Sequence, residues 1–179
     1  MRREFGLQSP AWRPDGRALA FVSSRGGGPG IYVVNDDGTG LRPLLVTNRG
    51  ARDPAFSPDG RRIAYLGSRG LFVARADGSE RRRLTRALLE DSEPTWSPDG
   101  TRIAFVRMPV NSDVGRLAIM RPDGRGLRNL APHLGDVVDL SWSPDSRELA
   151  FTRKIRPDSE VFRIRLSDNA VRKVTRNSI

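Results

Sequence analysis

The stretch SEPTWSPDG at residues 92–100 recurs, with variations, along the whole chain. Its relatives are SPAWRPDG at 9–16, RDPAFSPDG at 52–60 and VDLSWSPDS at 138–146, which place an aromatic residue at positions 12, 56, 96 and 142. The intervals between these aromatic residues are 44, 40 and 46 residues. A period in this range is typical of β-propeller blades of four short strands. The stretch therefore belongs to a repeat unit.

The Ser-Pro-Asp-Gly tetrapeptide predicts a tight turn between two strands. Proline supplies the fixed φ of the second turn position, aspartate can accept hydrogen bonds from nearby backbone amides, and glycine takes the conformation that starts the next strand. A short apolar run follows each such turn, at 17–23, 61–67, 101–107 and 147–153. These runs are too short for helices and are apolar on both faces, which predicts sheets that are covered on both sides.

Two further segments complete each repeat. A third strand is predicted at 31–34, 71–74, 116–120 and 161–165, and an Asp-Gly or Asp-Asn turn follows each one. The last segment is polar and basic, as expected of an outer edge strand, at 41–47, 80–85, 126–131 and 171–175.

The predicted fold class is therefore all-β: a β-propeller with four recognisable four-stranded antiparallel blades. Their approximate limits are 8–47, 52–86, 92–132 and 138–175. We expect a single propeller domain over residues 1–179, which forms either a complete small ring or part of a larger ring.

Two positions of each repeat are given structural roles. The aromatic residues before the turns are predicted to pack against the next sheet: Trp12, Phe56, Trp96 and Trp142. Burial of one such ring contributes about 1.5–3 kcal/mol. The aspartates of the turns are interpreted as turn residues and not as catalytic acids: Asp15, Asp59, Asp99 and Asp145.

The chain is strongly basic, with a net charge of +10, and 29 of its 31 basic residues are arginine. This charge would attract acidic partners, phosphates or membrane surfaces. The alternative is that most of the arginine side chains only stand on solvated strand faces and edges. Because they are scattered and lack interleaved stacking aromatics, nucleic-acid binding is not the favoured interpretation. No apolar run is long enough to predict a membrane span or a secretory signal.

The sequence contains little that predicts catalysis or metal binding. Cysteine is absent and His133 is the only histidine, which leaves no zinc cluster. No Gly-x-Ser-x-Gly motif occurs, so a catalytic triad is not predicted. The carboxylates Glu90, Asp91 and Glu93 are interpreted as a solvated acidic loop, or else as a counter-charge for a basic partner. We expect no enzyme, no cofactor and no metal site.

These features together resemble the WD-like repeat of TolB-type β-propellers: an aromatic residue before Ser-Pro-Asp-Gly, a strand like Arg-Ile-Ala-Phe, a strand like Ile-Tyr-Val, an Asp-Gly turn and a closing Leu-Thr. The resemblance covers residues 8–175. It implies a propeller fold, a non-enzymatic role and a periplasmic location in bacteria. Related blades form the propeller domains of tricorn-type and prolyl-oligopeptidase-type peptidases. TolB-type propellers are typically six-bladed, whereas four blades are recognisable here.

The expected function is a protein-interaction scaffold that binds through loops, where binding residues concentrate. The longer connections of every blade share the end opposite the turns, and the predicted partner-binding residues lie there: Arg25, Arg49, Arg52, Arg69, Arg86, Arg107, Arg116, His133, Arg153 and Arg156. The expected partner is an acidic protein or peptide, and copies of the chain are expected to associate if a ring must be completed. The alternatives are an accessory propeller that gates substrates for a serine peptidase, and arginine-mediated binding of nucleic acid or an anionic surface.

Overall fold

The strands of the computed structural model confirm the four-bladed, all-β fold. The structure describes residues 8–25, 29–47, 50–68, 70–85, 89–109, 112, 114–154 and 159–175. Its strands form four four-stranded antiparallel sheets, and within each sheet the strands are adjacent in chain order. Each sheet is therefore an antiparallel meander, as in a propeller blade.

The blades follow one another along the chain. Blade 1 contains β1 (Gln8–Trp12), β2 (Ala18–Ser23), β3 (Gly30–Asn35) and β4 (Arg42–Val46). Blade 2 contains β5 (Arg52–Phe56), β6 (Arg62–Gly67), β7 (Gly70–Arg75) and β8 (Arg82–Arg83). Blade 3 contains β9 (Leu89–Trp96), β10 (Ile103–Pro109), β11 (Arg116–Met120) and β12 (Arg128–Asn129). Blade 4 contains β13 (Val137–Trp142), β14 (Glu148–Lys154), β15 (Ser159–Arg165) and β16 (Val171–Lys173).

The chain divides into two compact units. Unit 1 (Met1–Ala87) holds blades 1 and 2, and unit 2 (Leu88–Ile179) holds blades 3 and 4. The expectation of a single propeller domain over residues 1–179 stays a prediction. We call the first strand of each blade its inner strand and the last its outer strand.

One apolar cluster joins the two blades of unit 1. Blade 1 contributes alternate residues of β2, among them Ala20 and Val22, and blade 2 contributes Ile63 and Tyr65 of β6. Phe56, at the end of the inner strand of blade 2, packs against the same cluster. The small alanine side chains of one sheet leave room for the larger side chains of the other. Full burial of a side chain such as Ile63 stabilises the unit by about 1.5–3 kcal/mol.

Unit 2 repeats this arrangement. Ala104 of blade 3 and Leu149 of blade 4 belong to one buried cluster, and Trp142 packs against it at the end of the inner strand of blade 4. The indole Nε1 of Trp142 also donates a hydrogen bond to the carbonyl oxygen of Thr95, at 3.2 Å. The aromatic residue of the second blade is thus a packing residue in both units.

The repeat aromatic residues of blades 1 and 3, the first blade of each unit, differ in their exposure to solvent. Trp96 is only 6% exposed, whereas Trp12 is 58% exposed. The face of β2 that carries Ala20 packs against blade 2, so the alternating residues Leu19 and Phe21 lie on the opposite face of blade 1. The predicted packing role is therefore wrong for Trp12, because among the residues described in unit 1 no sheet covers it.

Candidate functional site

The two ends of each blade differ in the connections between strands that they carry. The tight turns that join its first strand to its second, and its third strand to its fourth, lie at one end, which we call the turn end. The other connections lie at the opposite end, which we call the loop end, because successive strands of a meander run in opposite directions. The predicted partner-binding residues that the structure describes belong to the loop end.

Four of the predicted partner-binding residues have exposed side chains. Arg25 and Arg52 belong to unit 1, and Arg116 and His133 belong to unit 2. The Arg52 guanidinium lies 3.9 Å from the carboxylate of its neighbour Asp53. Because this ion pair is exposed to solvent, it is weak and leaves the Arg52 charge able to interact with a partner. Within each unit these exposed side chains share the loop end.

Arg153 is half-buried, and its guanidinium carbon lies 6.0 Å from the centre of the Phe162 ring. A cation at this distance from a ring face is weakly attracted to it. Four of the predicted residues lie outside the described residues: Arg49, Arg69, Arg86 and Arg156.

Arg107 does not belong to the exposed set. It lies on β10 directly opposite Asp91 of β9 and is only 8% exposed. Its Nε lies 3.1 Å from Asp91 Oδ1, and its guanidinium carbon lies 5.2 Å from the centre of the Phe105 ring. A buried guanidinium needs a counter-charge, and Asp91 supplies it. The prediction of a partner-binding Arg107 is therefore corrected: its charge is neutralised inside blade 3.

The acidic residues before the third turn do not form a solvated loop. Glu90, Asp91 and Glu93 all lie in strand β9, and the Asp91 side chain is fully buried. Glu93 Oε2 accepts a hydrogen bond from the backbone amide of Asp139, at 2.6 Å. The interpretation as a solvated acidic loop is wrong, because β9 extends along β10 and turns Asp91 towards Arg107.

The turn aspartates are held as hydrogen-bond acceptors. Asp59 Oδ1 accepts hydrogen bonds from Ser57 Oγ at 2.5 Å and from the Arg61 amide at 3.1 Å. The hydrogen bond from Ser57, and after it the bond from the Arg61 amide, lower the pKa of the Asp59 carboxyl. Asp145 accepts a hydrogen bond from Ser143 Oγ at 2.6 Å, and this bond likewise lowers its pKa.

The remaining two turn aspartates are variants of this arrangement. Burial raises the pKa of Asp99, but hydrogen bonds from Ser97 and Thr101 together outweigh it and lower that pKa. Asp15 follows Arg13-Pro instead of Ser-Pro, and it accepts a hydrogen bond from the Arg17 amide at 3.1 Å. The carboxylates of Asp59, Asp99 and Asp145, whose pKa values are lowered by their own turns, are poorly suited to donate a proton in catalysis.

The sequence analysis missed a polar residue in a left-handed backbone conformation on every inner strand. Each lies three positions before the repeat aromatic residue, at a break in the pairing register: Ser9 (φ 52°), Asp53 (φ 50°), Glu93 (φ 53°) and Asp139 (φ 55°). Positive φ in a non-glycine residue costs about 1–3 kcal/mol and persists only where surrounding contacts hold it. The available signal is the proline that follows the residue in three of the four repeats.

These left-handed residues join the inner strands of the two blades in each unit. In unit 1, Ser9 Oγ donates a hydrogen bond to Asp53 Oδ1 at 3.0 Å. In unit 2, Glu93 accepts the amide hydrogen bond of Asp139 described above. The inner-strand carboxylates of Asp53 and Glu93 therefore hold neighbouring blades together.

The described residues contain no metal-binding cluster and no long apolar helix. No group of three or more His, Asp or Glu side chains in them could hold a metal ion. Their single helical segment is the 3₁₀ turn Pro132–Leu134, so this part of the chain has no helix capable of crossing a membrane.

The chain is similar in sequence to TolB proteins over short segments. It is 51% identical over 39 residues to the Tol-Pal system protein TolB of Syntrophus aciditrophicus (strain SB). These residues are 22% of this chain and 9% of that protein. It is 42% identical over 50 residues to the TolB of Hahella chejuensis (strain KCTC 2396). These residues are 28% of this chain and 11% of that protein. The chain thus matches about a tenth of the length of these relatives. No family model matches the chain.

Solved structures of TolB proteins have the same fold. A putative TolB from Agrobacterium tumefaciens superposes with a TM-score of 0.81 at 20% identity, covering 93% of this chain and 64% of that one. TolB from Acinetobacter baumannii gives a TM-score of 0.78 at 19% identity, covering 97% and 44%. A puromycin hydrolase gives 0.73 at 18% identity, covering 94% and 28%. These likenesses confirm the resemblance to TolB-type propellers and establish the fold alone.

Proposed function

We propose that the chain is a non-enzymatic, TolB-like propeller that serves as a protein-interaction scaffold. One contrast carries the proposal. Two of the carboxylates considered as acids, the turn aspartate Asp59 and the buried Asp91, are engaged within the blades. The side chains exposed at the loop ends include Arg25, Arg52 and Arg116, which are suited to binding acidic groups.

The partner proposed for the loop ends is an acidic protein or peptide segment. A guanidinium presents a planar fork of donors that can bond both oxygens of one carboxylate. The net charge of +10 would also speed the encounter with an acidic partner. The relatives named above belong by name to the Tol-Pal system. We extend to this chain the idea of a protein partner and of a periplasmic location.

A charge-reversal experiment tests the role of the loop ends. A partner isolated from a periplasmic extract would be purified, and its affinity measured by calorimetry. Arg52→Glu combined with Arg116→Glu should weaken binding by about tenfold or more, since a lost charge-assisted contact costs more than about 1.4 kcal/mol. The matched control reverses Arg83 of β8 and Arg172 of β16, which are exposed on outer strands. Equal affinity for the two double variants would contradict the proposal.

Association of copies through blade 1 is a further part of the proposal. The face of blade 1 that points away from blade 2, with Leu19 and Phe21, is apolar and half-buried, and Trp12 is exposed beside it. The corresponding residues of blade 2, Ile63 and Tyr65, are buried by blade 1. Light scattering should therefore give a mass above 19.9 kDa for the purified chain, and Trp12→Glu should return it to a monomer. A monomeric wild-type chain would refute this part alone.

A second candidate function is that of an accessory propeller in a serine peptidase. The observation that favours it is structural: 94% of this chain superposes on part of a puromycin hydrolase. The gene region decides between the candidates, because this function requires a hydrolase domain with a Gly-x-Ser-x-Gly motif in the same reading frame. Arginine-mediated binding of nucleic acid or an anionic surface is the third candidate. It requires affinity that falls steeply as salt is raised.

A further inference from the structure

The two blades of unit 2 are joined at their loop end through Asp136. Its Oδ1 accepts a hydrogen bond from the backbone amide of Gly115, which directly precedes β11, at 3.0 Å. The backbone carbonyl oxygen of Asp136 accepts another from the amide of Lys154, the last residue of β14, at 2.9 Å. The start of β11 and the end of β14 are therefore held on the same residue. We call this place the Asp136 junction, with these residues: Val114, Gly115, Arg116, His133, Asp136 and Lys154.

The 3₁₀ turn before Asp136 brings His133 close to the start of β11. Leu134, the next residue, is buried in the same cluster as Leu117 of β11. Three residues further on, the Val137 amide donates a hydrogen bond to the Gly115 carbonyl oxygen at 3.0 Å. The segment that contains His133 is thus fixed beside β11, and the His133 side chain is exposed there.

The two strongly basic side chains of the junction are available to a ligand. Arg116 and Lys154 are both exposed. Among the described residues, no carboxylate oxygen lies within 4.0 Å of either basic group, because the ion pairs found there involve other residues. A carboxylate supplied by a partner could therefore form charge-assisted hydrogen bonds with both.

An exposed apolar side chain lies next to these cations in the chain. Val114 is 38% exposed and is separated from Arg116 only by Gly115. Its amide donates a hydrogen bond to Ser112 Oγ at 3.2 Å, which fixes the backbone before β11. An apolar group of the ligand that packed on Val114 would be removed from water, which favours binding.

We propose that the Asp136 junction binds a peptide segment in which one carboxylate side chain adjoins an apolar side chain. The proposal rests on the scaffold function proposed above and names a ligand for its loop end in unit 2. Arg116 and Lys154 bond the carboxylate, and an N–H of the His133 ring donates a further hydrogen bond. Val114 covers part of the apolar side chain.

Negative charge at the junction favours a ligand with a single carboxylate. Asp136 carries one such charge, and Asp139, three residues later on β13, is exposed. A run of closely spaced phosphates, as in a nucleic acid, would bring several negative charges towards these two aspartates and would be repelled. A lone carboxylate bound by Arg116 and Lys154 avoids most of this repulsion.

Binding of a defined probe tests the proposal. The probe is the fluorescent, C-terminally amidated peptide Gly-Ser-Asp-Leu-Ser-Gly, followed by anisotropy at low salt. A probe with asparagine in place of its aspartate should bind about tenfold or more weakly, since it loses its charge-assisted contacts. A probe with glycine in place of its leucine should bind about threefold or more weakly, because it buries less apolar surface.

Variants of the protein assign these two preferences to the junction. Arg116→Glu combined with Lys154→Glu should lower the affinity for the probe by about tenfold or more. Both side chains are exposed, so the fold should be retained. Val114→Ser should abolish the preference for leucine over glycine while the preference for aspartate over asparagine remains.

The matched control is Arg121→Glu combined with Arg147→Glu, which makes the same charge change on exposed residues at the turn end of unit 2. Unchanged affinity in this control supports a localised site. An equal loss in the control would overturn the proposal, because a general field effect would then suffice. Absence of saturable binding to the wild-type chain, equal affinity for the aspartate and asparagine probes, or tighter binding of a six-nucleotide single-stranded DNA would overturn it as well.

The purified partner separates failure of this site from failure of the scaffold function. If the partner binds the wild-type chain and loses affinity in Arg52→Glu but not in Arg116→Glu with Lys154→Glu, the scaffold function stands through unit 1 and the Asp136 junction alone is overturned. If the probe binds as expected and the partner binds equally to loop-end and control variants, the junction stands and the proposed scaffold role of the loop ends is overturned.

Discussion

The buried ion pair of blade 3 gives the sharpest test of the structure. Arg107 is 8% exposed, its partner Asp91 is 2% exposed, and the two face each other across β9 and β10 at 3.1 Å. Arg107→Ala would leave the Asp91 carboxylate buried without its guanidinium counter-charge. Removing one member of a buried pair costs about 3–5 kcal/mol, because the desolvation of the remaining charge is no longer offset. We expect Arg107→Ala to lower the free energy of unfolding of unit 2 by this amount.

The assay is denaturant unfolding followed by tryptophan fluorescence. Two of the three tryptophans, Trp96 and Trp142, lie in unit 2, so the signal reports mainly on this unit. A loss of this size would also lower the melting temperature by about 6–20 °C, at about 2–4 °C per kcal/mol for a chain of this length. Arg125→Ala is the control, because that side chain is 83% exposed and its removal should change stability by less than about 0.5 kcal/mol.

A double variant separates the charge from the packing. Arg107→Met with Asp91→Leu replaces the ion pair by apolar side chains and should recover most of the lost stability, since such replacements of buried pairs are often neutral or stabilising. If Arg107→Ala instead cost less than about 1 kcal/mol, the pair would behave as a solvent-exposed one. The assignment of Arg107 to the interior of blade 3 would then be refuted.

Three further predictions follow from the packing and the turns. Trp142→Ala should cost unit 2 about 3–5 kcal/mol, whereas Trp12→Ala should leave the stability of the monomer nearly unchanged; melting curves at low protein concentration compare them. Because the pKa of the Asp59 carboxyl is lowered in the folded state, its contribution to stability is present at neutral pH and is lost as pH falls below about 4; Asp59→Asn should flatten that acid-induced loss in urea titrations. Gly115→Ala should destabilise unit 2 by about 1–3 kcal/mol in the same assay, since its Cβ would lie 2.7 Å from the Val137 carbonyl oxygen.

The blade pattern was predictable because its signals are local. Ser57 and Asp59 bond to each other and to amides within five residues, so the same tetrapeptide forms the same turn wherever it occurs. The register of each hairpin follows from that turn, and the apolar runs then fix which faces are covered. Trp12 shows the limit of this reasoning, because a ring at a packing position packs only where another sheet lies against it.

The environments of the site residues were less predictable because they depend on distant partners. Nothing in the run 101–107 distinguishes Arg107 from an exposed strand-end arginine; its burial depends on Asp91, which is 16 residues away in sequence. The left-handed inner-strand residues depend on contacts across blades, such as the one from Ser9 to Asp53 over 44 residues. The position of Arg25 and Arg52 at the loop end, by contrast, was predictable from strand direction.

Blades 1 and 4 each have a face opposite the buried cluster of their own unit, and these two faces differ in chemistry, which limits how copies of the chain can associate. In blade 1 the face opposite the buried cluster is apolar, with Leu19, Phe21 and the exposed Trp12. In blade 4 the face opposite the buried cluster carries Arg163, whose ion pair with Glu148 is partly solvated. Stacking this face on blade 1 of another copy would bury the ion pair against apolar surface, at a desolvation cost that its attraction does not repay. Association through blade 1 should therefore be symmetric, with the same apolar face contributed by both copies, and should close at a dimer.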